Sequence, residues 1–262
     1  MLSVDRRDAS HRERTGRMQG GGTVDPGVVV RRLADATGGR YAAAMGIDVD
    51  AGVEEIDRWL LAATLFGNPI PASVVARTYR SLAGAGIRTF GDVAHATWDE
   101  LVARLDAGGY VRYDFRTASR LLAIAAFLTE RWPDGLVATL RACDDPVLVA
   151  GMLDGLPGWG PATTRIFLRE LRGVWPGAQT ELDERAILAA RHLGLAVPGD
   201  RRDAAPWLEQ LASLGGVDPR DLEGALIRLS LAHRRRRRAC PGGESCESLQ
   251  AVGQRARSRR VA

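Results

Sequence analysis

Residues 156–171 read Leu156-Pro-Gly-Trp-Gly-Pro-Ala-Thr-Thr-Arg-Ile-Phe-Leu-Arg-Glu-Leu171. One helical pattern ends in a Pro-Gly-x-Gly turn, and an apolar helix follows it. Gly158 and Gly160 are expected to take the left-handed φ that residues with a Cβ resist. Without side chains there, a flat anion can approach the main chain. Amides at the start of the second helix then point outward, with the helix dipole behind them. That makes a phosphate site indifferent to base sequence. Turn carbonyls can also hold a monovalent cation that bridges to the same phosphate. A plain αα-hairpin with a Gly turn is the simpler alternative. The pattern L-P-G-x-G-x-x-T is narrower than that. It marks Leu156, Gly158, Trp159, Gly160, Ala162 and Thr163 as the expected nucleic-acid contacts.

Working outward, every segment alternates apolar helical periodicity with Gly, Pro, Asp or Asn breaks. Helices are expected at about 26–36, 51–66 and 72–83, with short ones starting near Thr89 and Thr97. A long helix is expected from about Phe115 to Arg131, after Gly108-Gly-Tyr-Val-Arg-Tyr-Asp114. Further helices fit 136–143, 146–153, 161–172, 183–193, 204–213 and 219–232. No alternating strand pattern of useful length occurs. The expected fold class is all-α.

The 262 residues suit one large domain or two small ones. Apolar residues at 45% and charged residues at 26% describe a soluble chain. No run approaches the roughly 18–20 apolar residues of a membrane span. The first residues lack the apolar stretch of a signal peptide. Cys143, Cys240 and Cys246 form no disulfide framework, so a reduced, cytoplasmic setting is expected. All 36 basic residues other than His are Arg. The absence of Lys excludes a lysine Schiff base and a Walker A loop.

The net charge of +4 is unevenly spread. Residues 1–20 carry five Arg and three acids, and residues 233–262 carry nine Arg and two acids, which leaves the body at −5. The densest run, Arg234 to Arg238, is of a kind that binds phosphate backbones with strong salt dependence, and Arg234, Arg235 and Arg236 are candidate DNA contacts. A solvated tail without a specific role is the alternative.

Leu156 to Leu168 resembles the helix-hairpin-helix of the endonuclease III-like DNA glycosylase superfamily. That family carries a Gly/Pro-rich loop after the hairpin and then an essential Asp. Here the stretch is Gly173-Val-Trp-Pro-Gly-Ala-Gln-Thr-Glu-Leu-Asp183, with Asp183 at the matching place, 25 residues after Gly158. Gly67-Asn-Pro-Ile-Pro71 is similar to the loop bearing the family's DNA-inserting wedge, with Asn68 near the wedge position. The likeness spans about residues 50–233.

The resemblance implies a two-lobed helical fold. A central helical barrel, about 51–174, would end in the hairpin, and a discontinuous second lobe would comprise 26–50 and 175–233. Basic tails at 1–25 and 234–262 would flank them. It implies a monomeric base-excision enzyme acting on lesion- or mismatch-bearing duplex DNA at the nucleoid. Such an enzyme flips the nucleotide out and hydrolyses its N-glycosidic bond. Asp183 would stabilise the positive charge that builds on the sugar. Its plainer role is to cap the following helix. Flanking Glu181 and Glu184 are second choices. Tyr110, Tyr113 and Asp114 are candidate lesion-pocket residues, with core packing and an N-cap as their alternatives.

Three departures shape the expected chemistry. The lysine of bifunctional members falls at Ala162, so the activity should be monofunctional. The glutamate of adenine-removing members falls at Thr64. The family's C-x6-C-x2-C-x5-C cluster loop survives only as His233, Cys240 and a displaced Cys246, too few thiolates for [4Fe–4S]. No metal or cofactor is therefore expected beyond the cation at the hairpin. The alternative function is a helix-hairpin-helix DNA-binding protein that has lost catalysis.

Overall fold

The computed structural model describes residues 25–200 and 203–235. They form α1 (Pro26–Thr37), α2 (Val53–Thr64), α3 (Ala72–Gly84), α4 (Phe90–Val93), α5 (Trp98–Gly108) and α6 (Asp114–Arg131). After these come α7 (Leu136–Arg141), α8 (Pro146–Asp154), α9 (Pro161–Glu170), α10 (Glu184–His192), α11 (Ala204–Gly215) and α12 (Pro219–Arg235). No strand occurs among the described residues, and the fold is all-α. None of these helices is long and apolar enough to cross a membrane.

Local chemistry explains where the helices begin. Thr89 and Asp92 form a reciprocal capping box at α4, and Thr97 and Glu100 form one at α5. Asp145 accepts from the Val147 amide at 2.8 Å, and Pro146 stands first in α8, where a missing N–H does no harm. Gly109, at φ 90°, ends α5 in a conformation that a Cβ would strain.

The helices bury two separate cores. The larger runs from Tyr41 to Ala178 and centres on Trp59, Tyr79, Tyr110 and Phe167. Trp59 donates its indole N–H to the Phe167 carbonyl at 3.1 Å, which joins α2 to α9. Each such aromatic is worth roughly 1.5–3 kcal/mol of apolar transfer. The smaller core joins Val29, Val30 and Leu33 of α1 to Ala186 and Ala190 of α10, Leu208 of α11, and Leu222 and Leu226 of α12. The lobe boundaries therefore differ from the expected ones. Tyr41, Met45, Ile47, Val49, Trp175 and Ala178 all pack in the larger core, so only α1 crosses over to the smaller.

Charge locks the junction between the cores. Arg220, at the start of α12, donates to Asp50 at 2.8 and 3.0 Å, to Asp218 at 2.7 Å, and to the carbonyl of Glu170 at 3.3 Å. Arg40 adds contacts to Asp50 at 2.8 Å and Asp221 at 3.1 Å. The end of α9, the start of α12 and the 40–50 segment are thus held together. This is the ground on which the candidate carboxylate sits.

Candidate functional site

The hairpin is formed by α8 and α9. Gly158 sits at φ 73° and is exposed, so the turn needs glycine there. Gly160 differs from expectation: its φ of −166° is extended backbone, and it serves as N-cap of α9 ahead of Pro161. The turn reverses with a single left-handed residue because the Trp159 amide donates to the Leu156 carbonyl at 2.9 Å and tightens it. The Thr163 and Thr164 amides bond to the Gly160 carbonyl at 2.9 and 3.1 Å. Among the described residues the amides of Gly160 and Ala162 make no backbone hydrogen bond. Exposed Gly158, Pro161 and Ala162 border them, and Arg165 follows one turn later.

Three expected contact side chains turn inward. Leu156 is buried in the larger core, where it anchors the turn. Thr163 is buried on the inner face of α9, while its neighbour Thr164 donates to Asp154 at 2.5 Å and closes the hairpin. Trp159 stacks edge-on with Phe167, with ring centroids 5.8 Å apart, and donates to Thr64 Oγ1 at 3.0 Å. Only the backbone of these residues can meet a phosphate.

The loop after α2 also departs from expectation. Asn68 is buried, so it does not project as a wedge. Its amide donates to Tyr110 Oη at 3.1 Å and Thr117 Oγ1 at 3.3 Å, and its carbonyl accepts from Arg116 at 2.8 Å. Tyr110 is fully buried and donates to the Leu65 carbonyl at 2.6 Å, so its ring is unavailable to a flipped base. Tyr113 is half-buried beneath the guanidiniums of Arg112 and Arg116. Asp114 opens α6 from inside the helix, with Tyr113 at the capping position. Its hydrogen bond with Asp106 raises the Asp106 carboxyl above the usual range. Cys143 is half-buried.

Asp183 caps α10. Its Oδ1 accepts from the Arg185 amide at 2.8 Å, and its Oδ2 lies 3.6 Å from the exposed Arg185 guanidinium. Flanking Glu181 and Glu184 are exposed. Behind Asp183 lies a dense charged group. Glu223, fully buried on α12, accepts the Asp183 amide at 3.0 Å and pairs with Arg172 at 2.6 Å. Arg169 lies buried under the Tyr41 ring with Arg228, at 5.1 and 4.0 Å from its centroid. Burial raises the Tyr41 phenol, against the two guanidiniums. Asp183 is within electrostatic reach of both Tyr41 and Arg169, and through Arg169 of the far end of the hairpin's second helix.

Against known proteins, no family model matches the chain, and no curated protein matches it. Among solved structures the chain is similar to the crystal structure of H. pylori 3-methyladenine DNA glycosylase (MagIII) bound to 1,N6-ethenoadenine. The identity is 13%, with 82% of this chain and 100% of that chain covered, at a TM-score of 0.47.

Of the basic run, Arg234 and Arg235 end α12, while Arg236 lies outside the described residues, as do Cys240 and Cys246. His233 packs edge-on against His192 at 4.7 Å between ring centroids. Among the described residues no group of three or more His, Cys, Asp or Glu is arranged to hold a metal.

Sequence reasoning missed four positions. Arg120 of α6 runs beneath both turns: a Cβ at Gly158 would lie 2.6 Å from its Cδ, and one at Gly67 2.9 Å from its Nη1. Burial lowers its pKa, and its Nε is buried without a partner. Thr64 and Glu223 sit in helical patterns, and Arg172 in the turn after α9, with no local sign of their distant partners. The only available signal was a lone charge on an otherwise apolar face, as at Glu223 between Leu222 and Leu226.

Proposed function

We propose that the protein is a helix-hairpin-helix DNA glycosylase that hydrolyses the N-glycosidic bond of a damaged or mismatched base. The observation that carries this reading is the pairing of two features. One is an exposed hairpin turn whose Gly160 and Ala162 amides make no backbone hydrogen bond; the other is a carboxylate, Asp183, held by its own amide on Glu223 of α12. The turn would grip a phosphate and hold the duplex in place. Turn carbonyls would also hold a monovalent cation that bridges to that phosphate. The base would be flipped from the stack. Asp183 would face the sugar, stabilise its developing positive charge and orient water for attack at the anomeric carbon.

The chain has no lysine, and Ala162 is exposed where bifunctional relatives place one. Attack by a lysine amine followed by strand cleavage is therefore unavailable, and the reaction is simple hydrolysis. The enzyme would act as a monomer on duplex DNA of the nucleoid, without an iron–sulfur cluster. A second reading, a DNA-binding protein without catalysis, is favoured by one observation: both Asp183 oxygens are already turned toward Arg185.

One experiment separates the two. Duplexes carrying a panel of lesions and mismatches are incubated with the protein, then treated with hot alkali to reveal abasic sites. Alkali-dependent cleavage that disappears in Asp183→Asn supports the glycosylase and names its base. Cleavage without alkali contradicts the monofunctional reading. Binding without cleavage of any duplex supports the second reading.

A further inference from the structure

Glu223 is fully buried on α12, 40 positions from Asp183 in sequence, yet its Oε1 accepts the Asp183 amide at 3.0 Å. Its Oε2 pairs with Arg172 Nη1 at 2.6 Å. The other nitrogen of that guanidinium, Nη2, donates to the Thr180 carbonyl at 3.1 Å. One guanidinium therefore grips both Glu223 and the loop three residues before Asp183. A buried ion pair is a poor way to stabilise a fold, since desolvation offsets most of the attraction. What this pair does well is fix a point in space. The main chain of residue 183 is held from α12 on one side and from its own loop on the other.

The charges around it support the same role. Arg169 and Arg228 stand over the Tyr41 ring, Arg169 pairs with Glu170, and Arg172 pairs with Glu223. Asp183 brings the third negative charge to this group.

We propose that Glu223, backed by Arg172, is the positioning residue that aims the Asp183 carboxylate at the sugar. The proposal rests on the reading of Asp183 given above. Glu223 touches no substrate itself. Its carboxylate has two oxygens, and both are needed: one accepts the Asp183 amide and one accepts Arg172. A glutamine has a single acceptor oxygen, so Glu223→Gln must release one partner while keeping the same volume.

The test needs no knowledge of the lesion. Affinity is measured for two duplexes, one with a pyrrolidine abasic analogue, cationic where charge develops, the other with a neutral tetrahydrofuran abasic site. The wild-type protein should prefer the cationic duplex, and Asp183→Asn should lose that preference. Glu223→Gln should lose about tenfold of it, as expected of a misaimed catalytic group. Its affinity for the neutral duplex should stay within about twofold, as expected where the hairpin's phosphate contacts set that affinity. A Glu223→Gln protein that keeps the full preference, while Asp183→Asn loses it, overturns the positioning role and leaves the Asp183 reading standing. No preference in the wild type, or a preference that survives Asp183→Asn, overturns both. If Glu223→Gln does not unfold cooperatively, Glu223→Asp gives the same readout. It keeps both acceptors but withdraws them by one methylene.

Discussion

Trp159 at the hairpin tip donates its indole N–H to Thr64 Oγ1 at 3.0 Å, and the Thr64 hydroxyl donates in turn to the Leu60 carbonyl at 2.9 Å. Those two bonds tie the turn to the last turn of α2, across 95 residues of sequence. Both partners are buried, so neither can turn to water. The hairpin thus stands on the larger core, and its exposed turn inherits that core's rigidity.

Thr64→Val should strand the Trp159 N–H in a dry site. An unsatisfied buried donor costs about 1–3 kcal/mol, so urea unfolding should show a loss of that size. Thr64→Ser keeps the hydroxyl and should lose less than about 1 kcal/mol. A loss in Thr64→Ser larger than in Thr64→Val, which keeps the γ-methyl, would mean that the methyl group, and not the hydrogen bond, matters here.

Gly158 and Gly160 should respond unequally to alanine. At Gly158 the left-handed backbone costs a side chain about 1–2 kcal/mol, and Arg120 stands in the way of the new Cβ. Gly158→Ala should lower thermal stability and weaken duplex binding about tenfold, the effect of roughly 1.4 kcal/mol. Gly160 is extended with open space around it, so Gly160→Ala should stay within about 0.5 kcal/mol of wild type. Calorimetry on both variants decides the matter.

Arg220 bridges the two lobes through Asp50 and the Glu170 carbonyl, and pairs locally with Asp218. Its hydrogen bonds hold the Asp50 carboxyl below the usual range, and at Asp218 they outweigh a burial that pushes the other way. A carboxyl lowered in the folded state adds stability above its unfolded pKa and loses it as pH falls through the folded value. The stability curve should therefore drop below about pH 4. Arg220→Met should flatten that drop and cost about 1–3 kcal/mol at pH 7, less than a fully buried pair because Asp50 is half-exposed.

Asp57 shows the opposite sign. Burial raises its carboxyl to about 6, and Glu54 three residues away adds to the shift. The folded state holds that proton when the unfolded chain has released it, so stability falls as pH rises from about 4 to 6. Asp57→Asn should remove this slope and gain about 1 kcal/mol at pH 7, after allowance for solvent screening. An unchanged slope in unfolding experiments at pH 4, 5, 6 and 7 would show that Asp57 ionises freely in the folded state.

Helix placement was legible in the chain because its causes are local. The caps at Thr89, Thr97 and Asp145 lie within three residues of the amides they satisfy, and the breaks at Gly109 and Gly158 are written in single residues. The hairpin and the cap at Asp183 followed from the same short-range rules, and with them the all-α class. Which polar groups those helices would bury was decided only by tertiary contacts. The resemblance puts Asn68 near the wedge position, yet Tyr110 and Thr117, 42 and 49 residues away, supply the partners that let it be buried. Tyr41 to Val49 join the larger core because Trp59 and Phe66 offer them a surface, which no local pattern announces. Glu223 reaches Asp183 for the same kind of reason. A buried polar group is tolerated only where distant chain brings it a hydrogen-bond partner, so its fate is set by how the lobes close and not by its neighbours in sequence.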